Sequence, residues 1–331
     1  MLWTEQYRPA TLDEILGQDQ VIHHLSRFAA SKTVPHLILT GPHGTGKSVA
    51  IENFAKALYG EGWQQNTSVF PTADVFLQGK AFLEQDDRFS HLYQKSQSLI
   101  TNFKYVIKWY ASLRPLDAEF KLMVFEDAHT LTRDAQQGLR RIMERTSGTC
   151  RFVFTTTNQS ALIPAITSRC LPLFFAPLGQ DLVLRKLRAI TELHTQNSHP
   201  CSGDDLELIA QAAQGDLRRA ILLLQVALET GRCSDLFAVA QSETATVADS
   251  AIATLKAGDA KGAIRKLESL MIDYGLSGSE VFSEIRSTIR REYNDPKLVI
   301  ALADAEHRTR HANNEFIQVS AFATGIQEVF L

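Results

Sequence analysis

The chain has 331 residues, enough for two or three domains with a sizeable core. Its 44% hydrophobic and 21% charged residues, with a mean hydropathy of -0.11, exclude disordered, fibrous and membrane-embedded classes. The net charge of -3 argues against general adhesion to nucleic acid, so any such contact must come from a local basic patch. No apolar run approaches the roughly 18 residues of a membrane span, and the acidic and polar residues after Met1 do not make a secretion signal, so a cytoplasmic chain is expected. The four cysteines, Cys150, Cys170, Cys201 and Cys233, form no C-x-x-C pair and read as small buried residues.

In chain order, residues 21–30 carry helical periodicity, and His36–Thr40 is a short apolar strand. There follows Gly41-Pro42-His43-Gly44-Thr45-Gly46-Lys47-Ser48, and then a helical pattern over 48–58. Strand, glycine-rich turn and helix are the context that a phosphate-binding loop requires. The glycines let main-chain N–H groups turn inward around a β-phosphate, at which the positive end of the next helix also points. Lys47 then reaches the β- and γ-phosphates, and Ser48 ligates Mg²⁺.

A second apolar strand at 122–125 ends in the adjacent carboxylates Glu126 and Asp127. Such a pair delivers one acid to a metal-bound water and the other to the nucleophilic water, with Glu126 on the metal side and Asp127 as candidate base. The bland alternative is that the acids only open the following loop. Thr132 is available as N-cap for a helix over 134–145 that carries Gly138 in its middle, at about 1 kcal/mol relative to Ala. A third strand at 152–157 ends in Asn158, which suits either γ-phosphate sensing or ordinary turn chemistry. Arg169 lies in the short polar stretch Thr167-Ser168-Arg169-Cys170, placed either to act in a neighbouring subunit's site or to form a surface salt bridge.

Beyond Pro177 the chain reads as helices broken by glycines. In Gly215-Asp216-Leu217-Arg218-Arg219-Ala220 two arginines stand near a helix start, where the dipole disfavours cations and a bound phosphate would compensate. The expected organisation is a parallel-sheet α/β nucleotide domain over residues 1–178, a small helical lid over 179–235 and an all-helical C-terminal domain over 236–331.

These motifs resemble the small subunits of the replication factor C clamp loaders, AAA+ class P-loop NTPases. The resemblance is carried by Glu5-Gln6-Tyr7-Arg8-Pro9, Leu12-Asp13-Glu14, Gly17-Gln18, Pro35-His36-Leu37, the phosphate loop and Leu58-Tyr59-Gly60. It continues through Glu126-Asp127-Ala128, Asp134-Ala135-Gln136-Gln137, Leu139-Arg140-Arg141, Ser168-Arg169-Cys170 and the segment from Gly215 to Ala220, over about two thirds of the chain. It implies a pentamer with a large subunit and other small subunits, which uses ATP and Mg to open a sliding clamp and place it on primer–template DNA. The C-terminal domain would be its oligomerisation collar. Tyr7, Arg8 and Pro9 would lie near the adenine, Asn158 would be sensor 1 and Arg218 sensor 2, and Arg169 would reach the adjacent subunit's ATP. The cellular site would be the cytoplasmic nucleoid, or the nucleus in a eukaryotic source.

Two departures stand out. The family order at the second acidic motif is Asp then Glu, and its reversal here puts the shorter Asp127 farther from the attacking water, so slow hydrolysis is expected. Residues 61–119 also diverge, with Pro71-Thr72-Ala73-Asp74-Val75 in place of the family's Ala-Ser-Asp-Glu-Arg-Gly-like stretch, and an added polar segment to about Gln97. This divergence resembles the second, less regular small subunit of some archaeal loaders. Lys104 and Lys108 then share one helix face, either to meet DNA phosphates or as a solvated face over an aromatic core. Residues 133–151 hold five arginines against two acids, which suits a DNA-lined surface that includes Arg140 and Arg141. Two other readings remain: a weakly hydrolysing structural subunit, and another DNA-remodelling AAA+ ATPase such as an origin-recognition or branch-migration motor. The latter predicts a C-terminal winged helix, whereas residues 241–331 read as helical throughout.

Overall fold

The computed structural model describes residues 2–115, 117–194, 201–231, 243–292, 296–309, 312 and 314–330. It divides into two compact units, Met1–Gly231 and Arg232–Leu331. The expected boundary at residues 235 and 236, like Cys233, lies outside the described residues.

The first unit is built on five parallel strands: β1 (His36–Thr40), β2 (Thr67–Pro71), β3 (Lys121–Glu126), β4 (Cys150–Thr156) and β5 (Cys170–Phe174), in the order β2-β3-β4-β1-β5. Three of these are the strands read from the sequence; β2 and β5, the two edges, are additional. Pro172 explains why β5 escapes a pattern reading, because proline breaks a ladder and is tolerated at an edge, where it faces Ile38 of β1 alone. The central strands are nearly continuous apolar runs because both faces are covered.

Side chains alternate between those faces. Leu37, Leu39, Leu122, Val124 and Val153 pack against the helices Asp19–Ser31 and Lys47–Tyr59. Ile38, Met123, Phe125, Phe152 and Phe154 face the helices Leu99–Ser112 and Arg133–Arg145. Phe125 is the centre of this second layer, stacked on Phe70 at 5.4 Å and on Phe154 at 5.3 Å between ring centroids. Thr132 caps the helix Arg133–Arg145 by accepting from the Ala135 N–H. Gly138 in its middle answers a close approach, since a Cβ there would fall 2.6 Å from Cε of Lys104, whose stem lies across it. Within the divergent stretch, residues 63–92 form β2 and short helical turns packed by Val75, Leu83 and Phe89.

Three helices follow the sheet in the same unit, Gln180–His194, Gly203–Ala213 and Leu217–Thr230. The second opens with a capping box between Ser202 and Asp205. The other unit, by itself, holds the helices Glu243–Lys256, Ala260–Ile272, Gly278–Glu292, Pro296–Thr309 and Glu315–Phe330 around Ile252, Leu267, Phe282, Leu302 and Phe322, with no strand among its described residues.

His36 at the start of β1 accepts the Phe152 N–H on Nδ1 at 3.0 Å. Burial, aided by the Arg151 charge, lowers its pKa to about 4. The unfolded imidazole titrates near 6.5, so the neutral ring stabilises the fold fully above that pH and progressively less as the pH falls towards 4. His36→Gln should therefore show a flatter decline than wild type when denaturation midpoints are compared between about pH 7.5 and pH 5. Parallel declines would contradict this.

Candidate functional site: a cavity between phosphate loop, strand ends and lid

The parallel topology puts the carboxyl ends of β1, β3 and β4 side by side, and the turn that leaves β1 at Gly41 opens the site. Gly44 and Gly46 adopt φ of +66° and +98°, which L side chains rarely adopt, and their N–H groups donate to no protein acceptor among the described residues. Lys47 bends back so that Nζ donates to the carbonyls of Gly41 at 2.7 Å and Pro42 at 2.5 Å. Burial lowers its pKa, against the opposing pull of the Asp127 and Asp216 carboxylates.

Asp127 turns the chain at the end of β3 in the left-handed region, with φ of 51°. Asp tolerates that conformation better than most side chains, so the order Glu126-Asp127 suits the backbone here. Three threonines fix the turn. Thr155 of β4 accepts the Asp127 N–H at 3.2 Å, Thr130 donates to the Asp127 carbonyl at 2.8 Å, and the buried Thr72 hydroxyl lies against the carbonyls of Glu126 and Asp127.

The lid completes the cavity. Asp216 caps the helix Leu217–Thr230, and a Cβ on Gly44 would fall 1.6 Å from Asp216 Oδ1. The Leu217 N–H donates to the Gly44 carbonyl at 3.3 Å. At the other end, Tyr7 Oη lies 2.6 Å from His194 Nε2, and Trp3 stacks on that ring at 4.1 Å. The cavity, about 390 Å³ and open to one side, is lined by Tyr7, Arg8, Pro9, His43 to Ser48, Glu126, Asp127, Thr155, Lys186 and Arg218.

The structure thus gathers most of the residues read from the sequence. Arg8 lines the wall while paired to Glu52 at 2.6 Å, and Pro9 accepts from Asn53 at 3.1 Å. Asn158 is not in the lining; it is exposed, and Oδ1 caps the next turn by accepting from Ser160. Arg169 lies apart from the cavity, bonded to Glu144 at 2.6 Å. Lys104 and Lys108 on one helix and Arg140 and Arg141 on its packed neighbour lie outside the cavity lining; Lys104 and Arg140 are half-buried and Lys108 and Arg141 exposed. Arg151, counted in the same basic run, is tied to the Val34 carbonyl at 2.6 Å. Thr72, Thr155, Lys186 and the Gly44–Asp216 contact escaped the sequence reading. Asp216 alone left a local signal, an N-cap residue before a helix.

A phosphate loop after β1, an interior strand of a β2-β3-β4-β1-β5 sheet, an acidic strand end and a helical lid carrying an arginine define an AAA+ P-loop ATPase. Two variants of Thermotoga maritima RuvB share this fold, with TM-scores of 0.53 and 0.54 at 17% and 15% identity, over 89% of this chain and 91% of theirs. Residues 17–179 match the family described as DNA polymerase III, delta subunit. The replication factor C small subunit of Picrophilus torridus is 32% identical over 99% of this chain and 98% of its own, and that of Archaeoglobus fulgidus 32% over 97% and 95%. The chain belongs to the replication factor C small-subunit family, the ATPase subunits of the clamp loader.

The Thr72 hydroxyl lies against the Glu126 carbonyl and shares the Asp127 carbonyl with Thr130. Thr72→Val should cost about 1–3 kcal/mol by removing the buried hydroxyl that these carbonyls face, while Thr72→Ser restores most of it. Thermal or urea unfolding checks this, and equal stabilities for the two variants would contradict it.

Proposed function

We propose that this chain binds ATP with Mg²⁺ in the cavity of its first unit and works in a pentameric ring with a large subunit and other small subunits, opening a sliding clamp and setting it on primer–template DNA. The observation that carries the proposal is the convergence of Lys47, Glu126, Asp127 and Arg218 on one cavity. Ser48 and Glu126 offer oxygen donors at the cavity, the donor type that a hard divalent cation takes. A Mg²⁺ held by Ser48 and Glu126 would supply positive charge against the negative charge that develops on the phosphates.

In this reading the unpaired N–H groups of Gly44 and Gly46 hold phosphate, and Lys47 exchanges its two loop carbonyls for phosphate oxygens. Tyr7, Arg8 and Pro9 bound the base end. Arg218, exposed at the cavity mouth, reads the γ-phosphate from the lid. Asn158 acts as sensor from the end of β4, its Nδ2 being free of protein partners among the described residues. Asp127 is the base, and its short side chain on a threonine-fixed turn makes this subunit slow on its own. Arg169 acts on the neighbour's nucleotide.

Lys104, Lys108, Arg140 and Arg141 contact DNA phosphates. Residues 179–235 serve as the lid and 236–331 as the collar, and the all-helical described part of the second unit favours this over a winged-helix DNA motor. The departures at residues 61–119 support placement with the second type of archaeal small subunit, and the protein works on DNA in the cytoplasm, at the nucleoid.

The test is ATP hydrolysis by the isolated chain and by the reconstituted ring, with and without clamp and primed DNA. Turnover should be low alone and rise in the ring, and Lys47→Ala should weaken ATP binding by this chain. Equal rates alone and in the ring would contradict a site completed by a neighbour. Substituting both Lys104 and Lys108 should lower the salt slope of DNA binding by about two. An unchanged slope would assign them to a solvated face.

A further inference from the structure

Glu144 is placed where the helix itself gives it no support. It lies in the last turn of Arg133–Arg145, where the negative end of the helix dipole disfavours a carboxylate. Two guanidinium groups compensate, and both approach the same oxygen. Arg169 Nη2 stands 2.6 Å from Glu144 Oε1, and Arg140 Nε stands 3.6 Å from it.

The two arginines are held differently. Arg169 is fixed by a planar fork, with Nη1 donating to the Ala165 carbonyl at 2.7 Å and Nη2 to Glu144. Arg140 Nε is buried without a hydrogen-bond partner, so Glu144 holds it by charge alone. The two guanidinium charges share this one carboxylate and repel each other, so each weakens the other's hold on it. An anion that draws Arg140 outward leaves Oε1 to Arg169.

We propose that Glu144 is a positioning residue that orients Arg169 towards the neighbouring subunit's nucleotide and links that orientation, through Arg140, to the DNA-facing surface. This rests on the reading of Arg169 as acting in trans and Arg140 as meeting DNA phosphate. Phosphate binding at Arg140 then firms the Glu144–Arg169 pair, so DNA raises the fraction of rings with a correctly aimed arginine.

The test is single-turnover ATP hydrolysis in the reconstituted ring with clamp, with and without primer–template DNA, alongside ATP affinity of the isolated chain. Glu144→Ala should slow hydrolysis about two- to fivefold, the scale of a partly exposed ion pair, and reduce its DNA stimulation. ATP affinity of the chain should not change. Glu144→Gln, which keeps an oxygen acceptor for Arg169, should recover at least half of the lost rate. Arg140→Gln should act oppositely, raising the DNA-free rate and shrinking the stimulation, because Oε1 is then left to Arg169. Arg169→Ala separates the levels. If it abolishes hydrolysis while Glu144→Ala and Arg140→Gln behave as wild type, the positioning role is overturned and the reading of Arg169 stands. If Arg169→Ala leaves hydrolysis intact, that reading falls and the positioning role with it. Loss of ATP affinity in Glu144→Gln would make Glu144 a structural residue instead.

Discussion

The close approach of Asp216 to Gly44 is the contact on which the site depends. Any side chain at residue 44 would occupy the space of the Asp216 carboxylate, and its φ of +66° independently favours glycine. The same glycine therefore shapes a phosphate-binding turn and admits the lid. The Leu217 N–H, which a helix leaves without an internal partner at its start, is satisfied by the Gly44 carbonyl. Two further ties hold the lid over the sheet: Leu178 N–H to the Gly215 carbonyl at 3.2 Å, and Trp3 N–H to Gln225 Oε1 at 2.9 Å. The N-terminal segment, lid and loop thus line one cavity.

The sheet supplies the complementary constraint. Parallel strands with both faces buried must present their polar ends at the edge of the layer, and β1, β3 and β4 end together there. The aromatic layer centred on Phe125 makes β3 rigid immediately before Glu126. Thr72, Thr130 and Thr155 then hold the Asp127 turn from three directions, and so the acid pair is placed by the fold rather than by its own side-chain bonds. This is where the reversed order of the acids has physical content. The left-handed turn accepts Asp readily.

What was legible in the sequence follows from which constraints are local. The phosphate loop, Lys47, the acids after β3 and the Thr132 cap each depend on a few consecutive residues. The central strands were visible because burial on both faces makes them unbroken apolar runs. The edge strands were not, because β2 mixes Thr and Ser with apolar residues and β5 contains Pro172. Thr72 was noticed only as a departure from a familiar stretch, since its partners lie 54 and 55 residues away. Arg169 stood between two readings, salt bridge or trans-acting group. Its bond to Glu144 shows that the first does not exclude the second, because a guanidinium fixed at one edge keeps other donors to offer.

The central claim, that the lid is seated on the phosphate loop at Gly44, is tested most directly by amide hydrogen exchange at Leu217 in the nucleotide-free protein. A first-turn amide without a partner exchanges close to the rate of an open chain. The account predicts that Leu217 is protected, with protection reduced when Asp216 is replaced by Ala. Exchange of Leu217 at the unprotected rate in the wild-type chain would contradict it.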